Sequence, residues 1–482
     1  MRMLYLIAGK RAKTSTAYSS ALSYLIAGAA LLGDDCWERR RDRIFALELE
    51  RAECEFLTGE LVAADERLAA LSSRIANTVE RAAVTCLHMD VCTTRGPSGR
   101  AVAVALDYLR QVGIEWSPHP SEDEARREYE QIWLQLGCRG IEEVTNSPLM
   151  SDPESLATVD VLTKVVVPAA FTDRNLDSLA ICRAVNLSLE RGNCDASCLA
   201  YVTLGRIAGP RFGDYKTALR FGQVGFELVE RRGLKRFQAS MYNYFAVWIV
   251  RWAKHVRFST DLLRRAFETA NKIGDLTFAA YSSINLNSNL LFSGDPLSAV
   301  QREAEHALAF SQKVGFGIVT DGNTSQLALI RTLRGLTPKF GCFDSEEIEE
   351  FPFEGRLAGN PALAIAECWY WVRKLQARYI AGDYQEAMQA SSEAQRLLWT
   401  SPAFFEEAEY HFYSALSRAA CCDGGSTGER SQHLEALAAH RRQLAVWTEN
   451  CADNFENRLA LVSAEIARIE GCLLYTSPSP RD

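Results

Sequence analysis

Residues 382–394 read GDYQEAMQASSEA, and residues 213–225 read GDYKTALRFGQVG. Both stretches open on glycine, place alanine five residues later (Ala387, Ala218) and return to a small residue twelve positions after the glycine (Ala394, Gly225). Glycine lets one helix end in a left-handed conformation, and the aspartate beside it can cap the next helix. Alanine on the inner face lets two antiparallel helices approach closely. The second small residue lies two turns further along the same face and gives a neighbouring pair the same freedom. Tyr215 and Tyr384 occupy the same position in the two copies.

The glycine-to-alanine spacing recurs as Gly59 to Ala64 (GELVAA), Gly96 to Ala101 (GPSGRA) and Gly294 to Ala299 (GDPLSA). Recurrence at a fixed phase predicts stacked helix pairs. Between the glycines, apolar residues keep a helical period. Ala17, Ala21, Tyr24, Leu25, Gly28, Ala29 and Leu32 form one stripe, and Phe45, Leu49, Ala52 and Phe56 another. Strand-like runs are nearly absent; Val165–Val167 is the one short example, and Pro168 is expected to break it. Asp35 with Glu38 and Ser121 with Glu124 have the spacing of capping boxes. The fold class expected is all-α, with antiparallel helix pairs in an extended α-solenoid.

Breaks along the chain divide it further. WSPHP (116–120) and Pro148–Pro153 interrupt the periodicity, so a connector is expected near 116–155. Pro338, Pro352, Pro361 and the acidic run Asp344–Glu350 mark 336–360 as a linker, and Cys422–Glu429 is a glycine-rich loop. The helical blocks expected are 1–115, 116–335 and 361–471. Residues 472–482, CLLYTSPSPRD, do not continue the preceding helix and resemble an in-frame translation of a transposon-type sequencing adapter. They are expected to be a non-native tail. The chain is accordingly expected to be interrupted at Gly471, and its start, Met3–Ala8, reads as the interior of a helix.

The 482 residues are 48% hydrophobic and 24% charged, which is a globular balance, and too long for a single small domain. A net charge of −8 argues against a general nucleic-acid binder. The run Arg39–Arg41 reads as a solvated helix face. No apolar segment approaches the ~20 residues that span a bilayer, and the start lacks a signal-peptide pattern. A cytoplasmic location with fourteen reduced cysteines follows as the expectation. Cys194 and Cys198 could share a helix face and Cys421 and Cys422 adjoin, but no histidine is spaced as a metal partner to any cysteine, so buried thiols are expected.

Catalytic patterns are missing. Gly9-Lys10 lacks the rest of a phosphate loop, Gly315-Phe316-Gly317 lacks a third glycine, and no kinase catalytic segments occur. Asp34, Asp35 and Glu38 fit the DDxxE pattern of helical isoprenoid enzymes, but a capping box explains the same residues. The seven histidines, at 88, 119, 255, 306, 411, 433 and 440, are isolated in sequence, and His440 precedes two arginines instead of the acid that follows a phosphoacceptor histidine. Tyr242, Tyr244, Phe245, Trp248 and Trp252 read as helix packing. No catalytic, cofactor-binding or metal-ligating residue is therefore expected; the candidate positions are the structural repeat positions named above.

The GDYxxA pattern with its later small residue resembles the tetratricopeptide repeat in divergent form. Longer stretches resemble one bacterial family: AYSSALSYLIAGAALL (17–32), ALELERAECEFLTGEL (46–61), YLRQVGIEWSPHP (108–120), GNCDASCLAYVTLG (192–205), GDLTFAAYSSINL (274–286), LALIRTLRGLTPKFG (327–341), WYWVRKLQARYIAGDY (369–384), LLWTSP (397–402) and AEYHFYSALSRAA (408–420). They are similar to the helical middle of large signalling proteins that join a serine/threonine-kinase-like domain, a STAND-type AAA ATPase, a GAF domain and a histidine kinase. The resemblance implies a regulatory segment of a two-component system. Its partners would be the flanking ATPase and kinase domains and a protein or small-molecule inducer, with no nucleic acid and no membrane. ATP and magnesium would be bound only outside this stretch. A free-standing peptide-binding scaffold shares these features, and an all-helical metal-dependent enzyme is the remote alternative.

Overall fold

The computed structural model describes residues 2–15, 17–31, 36–96, 98–345, 348–422 and 427–471. Asp34 and Asp35, Pro97, residues 423–426 of the glycine-rich loop and the tail 472–482 lie outside them, as does the side chain of Glu38. Among the described residues the chain is all-helical, and its nearest approach to a sheet is one isolated bridge between Leu149 and Asn193.

The chain divides into two compact units, Met1–Ala200 and Tyr201–Asp482. Unit 1 holds α1 (Arg2–Thr14), α2 (Tyr18–Ala30), α3 (Cys36–Leu57), α4 (Leu61–Ser72), α5 (Thr78–Arg95), α6 (Ser98–Gln111), α7 (Glu122–Leu136), α8 (Pro153–Ala170), α9 (Arg174–Arg191) and the start of α10 (Asp195–Phe212). Unit 2 continues through α11 (Tyr215–Arg232), α12 (Gln238–Tyr244), a π-helical turn at Phe245–Val250, α13 (Arg251–Ala253), α14 (Val256–Ile273), α15 (Leu276–Phe292), α16 (Leu297–Lys313) and α17 (Gly317–Leu333). It ends with α18 (Glu350–Leu357), α19 (Ala364–Ile380), α20 (Tyr384–Leu397), α21 (Phe405–Cys421), α22 (Thr427–Asn450) and α23 (Ala452–Ile469).

Local chemistry sets the helix ends. Ser121 accepts the Glu124 N–H while the Glu124 carboxylate accepts the Ser121 N–H, so the expected capping box starts α7. At Gly382 the backbone turns with φ of 79°, and the Asp383 N–H then reaches back to the Arg378 carbonyl at 2.9 Å. That bond satisfies a carbonyl left open at the end of α19 and reverses the chain into α20. Gly274, with φ of 75°, makes the same turn: Asp275 N–H bonds the Ala270 carbonyl at 2.8 Å, and its side chain accepts the Phe278 N–H. Gly274 to Ala279 is thus a further copy of the repeat phase.

Several expectations need correction. Val165–Val167 is not a broken strand; it lies inside α8, where Val161, Leu162, Val165, Val166 and Ala169 form one buried helical face. Pro168 sits in the last turn, where the lost hydrogen bond disturbs only the helix end. The stretch expected to be a linker, 336–360, instead carries α18 and buries Phe343, Ile348, Phe353 and Leu357 against Tyr370 of α19. In the glycine-rich loop, Gly428 and Glu429 already belong to α22.

Unit 2 also departs from an extended array, in which each pair touches only its neighbours. α15 packs on α17, α17 on α19 and α19 on α21, and α21 packs back on α15. The circuit closes across more than a hundred residues of sequence. Trp252, Phe292, Phe405, Trp447 and Phe455 fill the closing contact, with Phe292 and Phe405 stacked at 3.7 Å.

The repeat alanines supply a test. Ala387 is fully buried, whereas Ala299 is partly exposed and Val300 takes the inward position. Ala387→Leu is expected to lower the unfolding free energy by about 1–3 kcal/mol through overpacking. Ala299→Leu should stay within about 0.5 kcal/mol. Urea denaturation of both variants checks this, and equal effects would contradict the placement.

Candidate functional site

α15 is surrounded by α12, α14, α16, α17 and α21, so its polar residues cannot all face water. Ser282, Ser283, Asn285, Asn287, Ser288 and Asn289 are all buried. A buried polar group without a partner is costly; Ser283 and Asn285 bond back to carbonyls of α15 itself, whereas Ser282, Ser288 and Asn289 meet neighbouring helices. Asn243 donates to Ser282 Oγ at 3.2 Å, and Asn289 to Ser259 Oγ at 2.8 Å. Gln326 of α17 donates to both the Ile284 carbonyl (3.1 Å) and Ser288 Oγ (2.9 Å).

The centre of this network is ionic. Arg373 of α19 donates to Glu406 Oε1 of α21 at 2.9 Å, to Ser325 Oγ at 2.6 Å and to the Gly322 carbonyl at 3.1 Å. Ser288 donates to the same Glu406 oxygen at 2.7 Å. Arg373 and Glu406 therefore tie α15, α17, α19 and α21 together at one point. Next to it lies a cavity of about 40 Å³ lined by Ser288, Phe292, Arg373, Gln376, Glu406 and Glu409, which is room for a few water molecules. Arg458 closes one side, pairing with Glu409 at 2.7 Å and lying 3.8 Å over the Phe292 ring.

Two groups at this centre are incompletely partnered. Arg251 is fully buried 4.4 Å over the Phe405 ring, and none of its guanidinium nitrogens has a hydrogen-bond partner. Burial pushes it down to about 9, partly opposed by Glu406, and it stays charged at neutral pH. Glu406 Oε2 likewise has no partner. Beside them, burial pushes the Glu407 carboxyl up to about 7, although it accepts the Ala403 N–H at 3.0 Å.

The histidines are not all isolated. His411 and His440 meet Nδ1 to Nδ1 at 3.0 Å against Tyr410 and Trp447. Burial pushes His411 down to about 3, assisted by His440, and His440 down to about 4, assisted by Arg418. One neutral ring must donate and the other accept, which a second proton forbids.

The sequence expectation of no histidine–cysteine metal spacing also fails. His88 and Cys92 lie one turn apart on α5, and Asp65 of α4 joins them within 4.8 Å. The residue types suit a metal, but the charges do not. Asp65 accepts His88 Nε2 at 2.8 Å, Arg100 at 3.0 Å, and Arg95. Burial raises the Asp65 carboxyl, yet His88 and Arg100 outweigh it and hold the group below its usual range. A divalent cation there would face two guanidiniums, so the cluster acts as a knot between α4, α5 and α6. Elsewhere burial raises the Cys54 thiol to about 11 and Cys368 to about 12, which makes them packing groups and poor nucleophiles.

The repeat positions are structural. Ala64, Ala101, Ala387 and Ala394 are fully buried, Ala218 is 3% exposed, and Gly225 is buried. Gly59, Gly213, Gly294 and Gly382 adopt positive φ, whereas Gly96 is extended and does not make this turn. Tyr215 is buried and its hydroxyl accepts Trp447 Nε1 at 3.0 Å, while Tyr384 is 40% exposed. Asp214 caps α11 through the Thr217 N–H; Asp383 makes no such bond. None of these positions joins the Arg373–Glu406 centre.

No family model matches the chain. It is 24% identical over 321 residues to hybrid signal transduction histidine kinase G of Dictyostelium discoideum; the alignment covers 60% of this chain and 9% of that protein. The match is thus to a signal-transduction protein, of whose length it spans less than a tenth. Among the described residues, no helix is long and apolar enough to cross a membrane.

Two measurements check the site. Arg373→Met leaves Glu406 buried without its main partner and is expected to cost about 3–5 kcal/mol of stability; a loss under about 1 kcal/mol would contradict the central role given to the pair. For the histidines, the folded values lie below the ordinary 6.5, so the unfolded chain takes up protons first as pH falls. Their contribution is whole above pH 6.5 and is lost as pH falls toward 4, at roughly 1 kcal/mol per pH unit for each ring. In a pH series of denaturant melts, His440→Gln should flatten that slope; an unchanged slope would show that other groups set it.

Proposed function

We propose that this chain is a non-catalytic regulatory region of a larger signalling protein, biasing the output of neighbouring STAND-type ATPase and kinase domains when a ligand or partner binds. The observation that carries the reading is the alignment of 321 residues to a hybrid histidine kinase, in a chain whose described residues form an all-helical fold. The tetratricopeptide-like turns at Gly213 and Gly382 and the buried alanines after them support a repeat architecture suited to binding. ATP and magnesium belong, on this reading, to the neighbouring domains, within the cytoplasm.

Regulation requires that a ligand bind two states unequally. Unit 2 offers a means, because α15, α17, α19 and α21 share one buried ionic centre, so a shift of one changes the surroundings of the others. In the intact protein, Ser288→Ala should alter the stimulus dependence of kinase output, by about three-fold or more in half-maximal stimulus. The activity of an isolated kinase domain should stay unchanged. An unchanged dose response after deletion of residues 17–420 would reduce the region to a spacer and overturn the proposal.

A further inference from the structure

Three features that each cost stability converge where unit 2 closes on itself. The π-helical turn Phe245–Val250 leads directly into Arg251, and π-helical geometry inside an α-helical stretch is rare. Ala403, which receives the Trp252 indole N–H on its carbonyl at 2.9 Å, holds φ of 63°, a left-handed conformation unusual for alanine. Between them lies the buried Arg251 with no hydrogen-bond partner, and Glu406 with one oxygen unpartnered. Two arginines stand near one carboxylate, and Arg373 holds it. A contact selected only for rigidity would have replaced such a guanidinium with an apolar side chain of similar size.

The forces that hold the contact shut are separable from these. Asn454 of α23 donates to the Arg251 and Lys254 carbonyls at 2.7 and 2.9 Å and accepts the Val256 N–H at 3.0 Å. Trp447 donates to Tyr215, and Trp252 stacks on Phe455 at 5.4 Å. All of these join α11–α15 to α21–α23, and the Phe292–Phe405 stack and the Ser288–Glu406 hydrogen bond join α15 to α21 in the same seam. Separating the two arms would hydrate Arg251, release Ala403 and expose the aromatic cluster together.

We propose that this seam is a latch: the arms α11–α15 and α21–α23 part as a unit, short of unfolding, with buried Arg251 lowering the barrier to opening and Asn454 as the clasp. The proposal does not depend on the signalling assignment; it names which contact of the fold moves. Opening would present Trp252, Phe292, Phe405 and Phe455 beside a cation.

Hydrogen exchange resolved by peptide on the full chain tests it. In the wild type, segments 251–257, 403–409 and 452–458 should exchange in a correlated manner and faster than α16 and α17. Arg251→Met, which removes the charge and keeps the bulk, should slow all three segments by about ten-fold or more. Asn454→Ala should speed all three, including 403–409, to which Asn454 makes no hydrogen bond. Stability of α16 and α17 should be little changed in either variant. The proposal fails if Arg251→Met speeds the seam or leaves it unaltered, or if it does not fold. It also fails if Asn454→Ala affects only the segments it bonds, because fraying of independent ends would then explain the exchange.

Discussion

The ion pair between Arg373 and Glu406 is the constraint around which unit 2 is arranged. Both side chains are almost wholly withdrawn from solvent, so most of their partners must come from the protein. Arg373 uses Glu406, Ser325 and the Gly322 carbonyl, and Glu406 takes Ser288 as well. These partners lie on four helices far apart in sequence. Moving α19 against α17 or α21 would strip Arg373 of partners in the interior, whereas parting α15 from α21 costs Glu406 only the Ser288 hydrogen bond. Apolar burial along the helix pairs is non-directional, whereas a buried hydrogen-bonded network is satisfied in one arrangement only and so adds to the choice of register.

Much of the local architecture was legible in the sequence because it rests on nearest-neighbour chemistry. Gly382 and Gly213 turn the chain as their spacing implied, Ala387 and Ala218 are buried at helix contacts, and Ser121 and Glu124 form their capping box. Each depends on residues within about one helical repeat. The failures have equally local causes. Gly96 is followed by proline and takes an extended conformation, so its alanine is reached by another route. Pro168 reads as a breaker only if its position in the last helical turn is unknown.

The functional centre was not legible, because it is assembled at long range. Arg373 lies one turn from Trp369 and from Ala377, so it shares their buried phase within an apolar helix, and Asn285 and Asn289 share one face of α15. Polar residues in an inward phase were the available signal. Nothing local says that Glu406, thirty-three residues away, is the partner of Arg373, or that Ser288 lies against it. The His411–His440 contact was missed for the same reason, as was Asp65, but the one-turn spacing of His88 and Cys92 stood in the sequence itself.

The arrangement of unit 2 depends most directly on whether Arg373 and Glu406 act on each other as one unit. A double-mutant cycle built from Arg373→Met, Glu406→Leu and the double variant, followed by denaturant unfolding, measures this coupling. A buried pair at the hub of the network predicts a coupling energy of about 1.5–3 kcal/mol, with the double variant more stable than the sum of the single losses implies. Additive losses, with coupling below about 0.5 kcal/mol, would mean that the two charges are satisfied separately and that the closure of unit 2 rests on apolar packing alone.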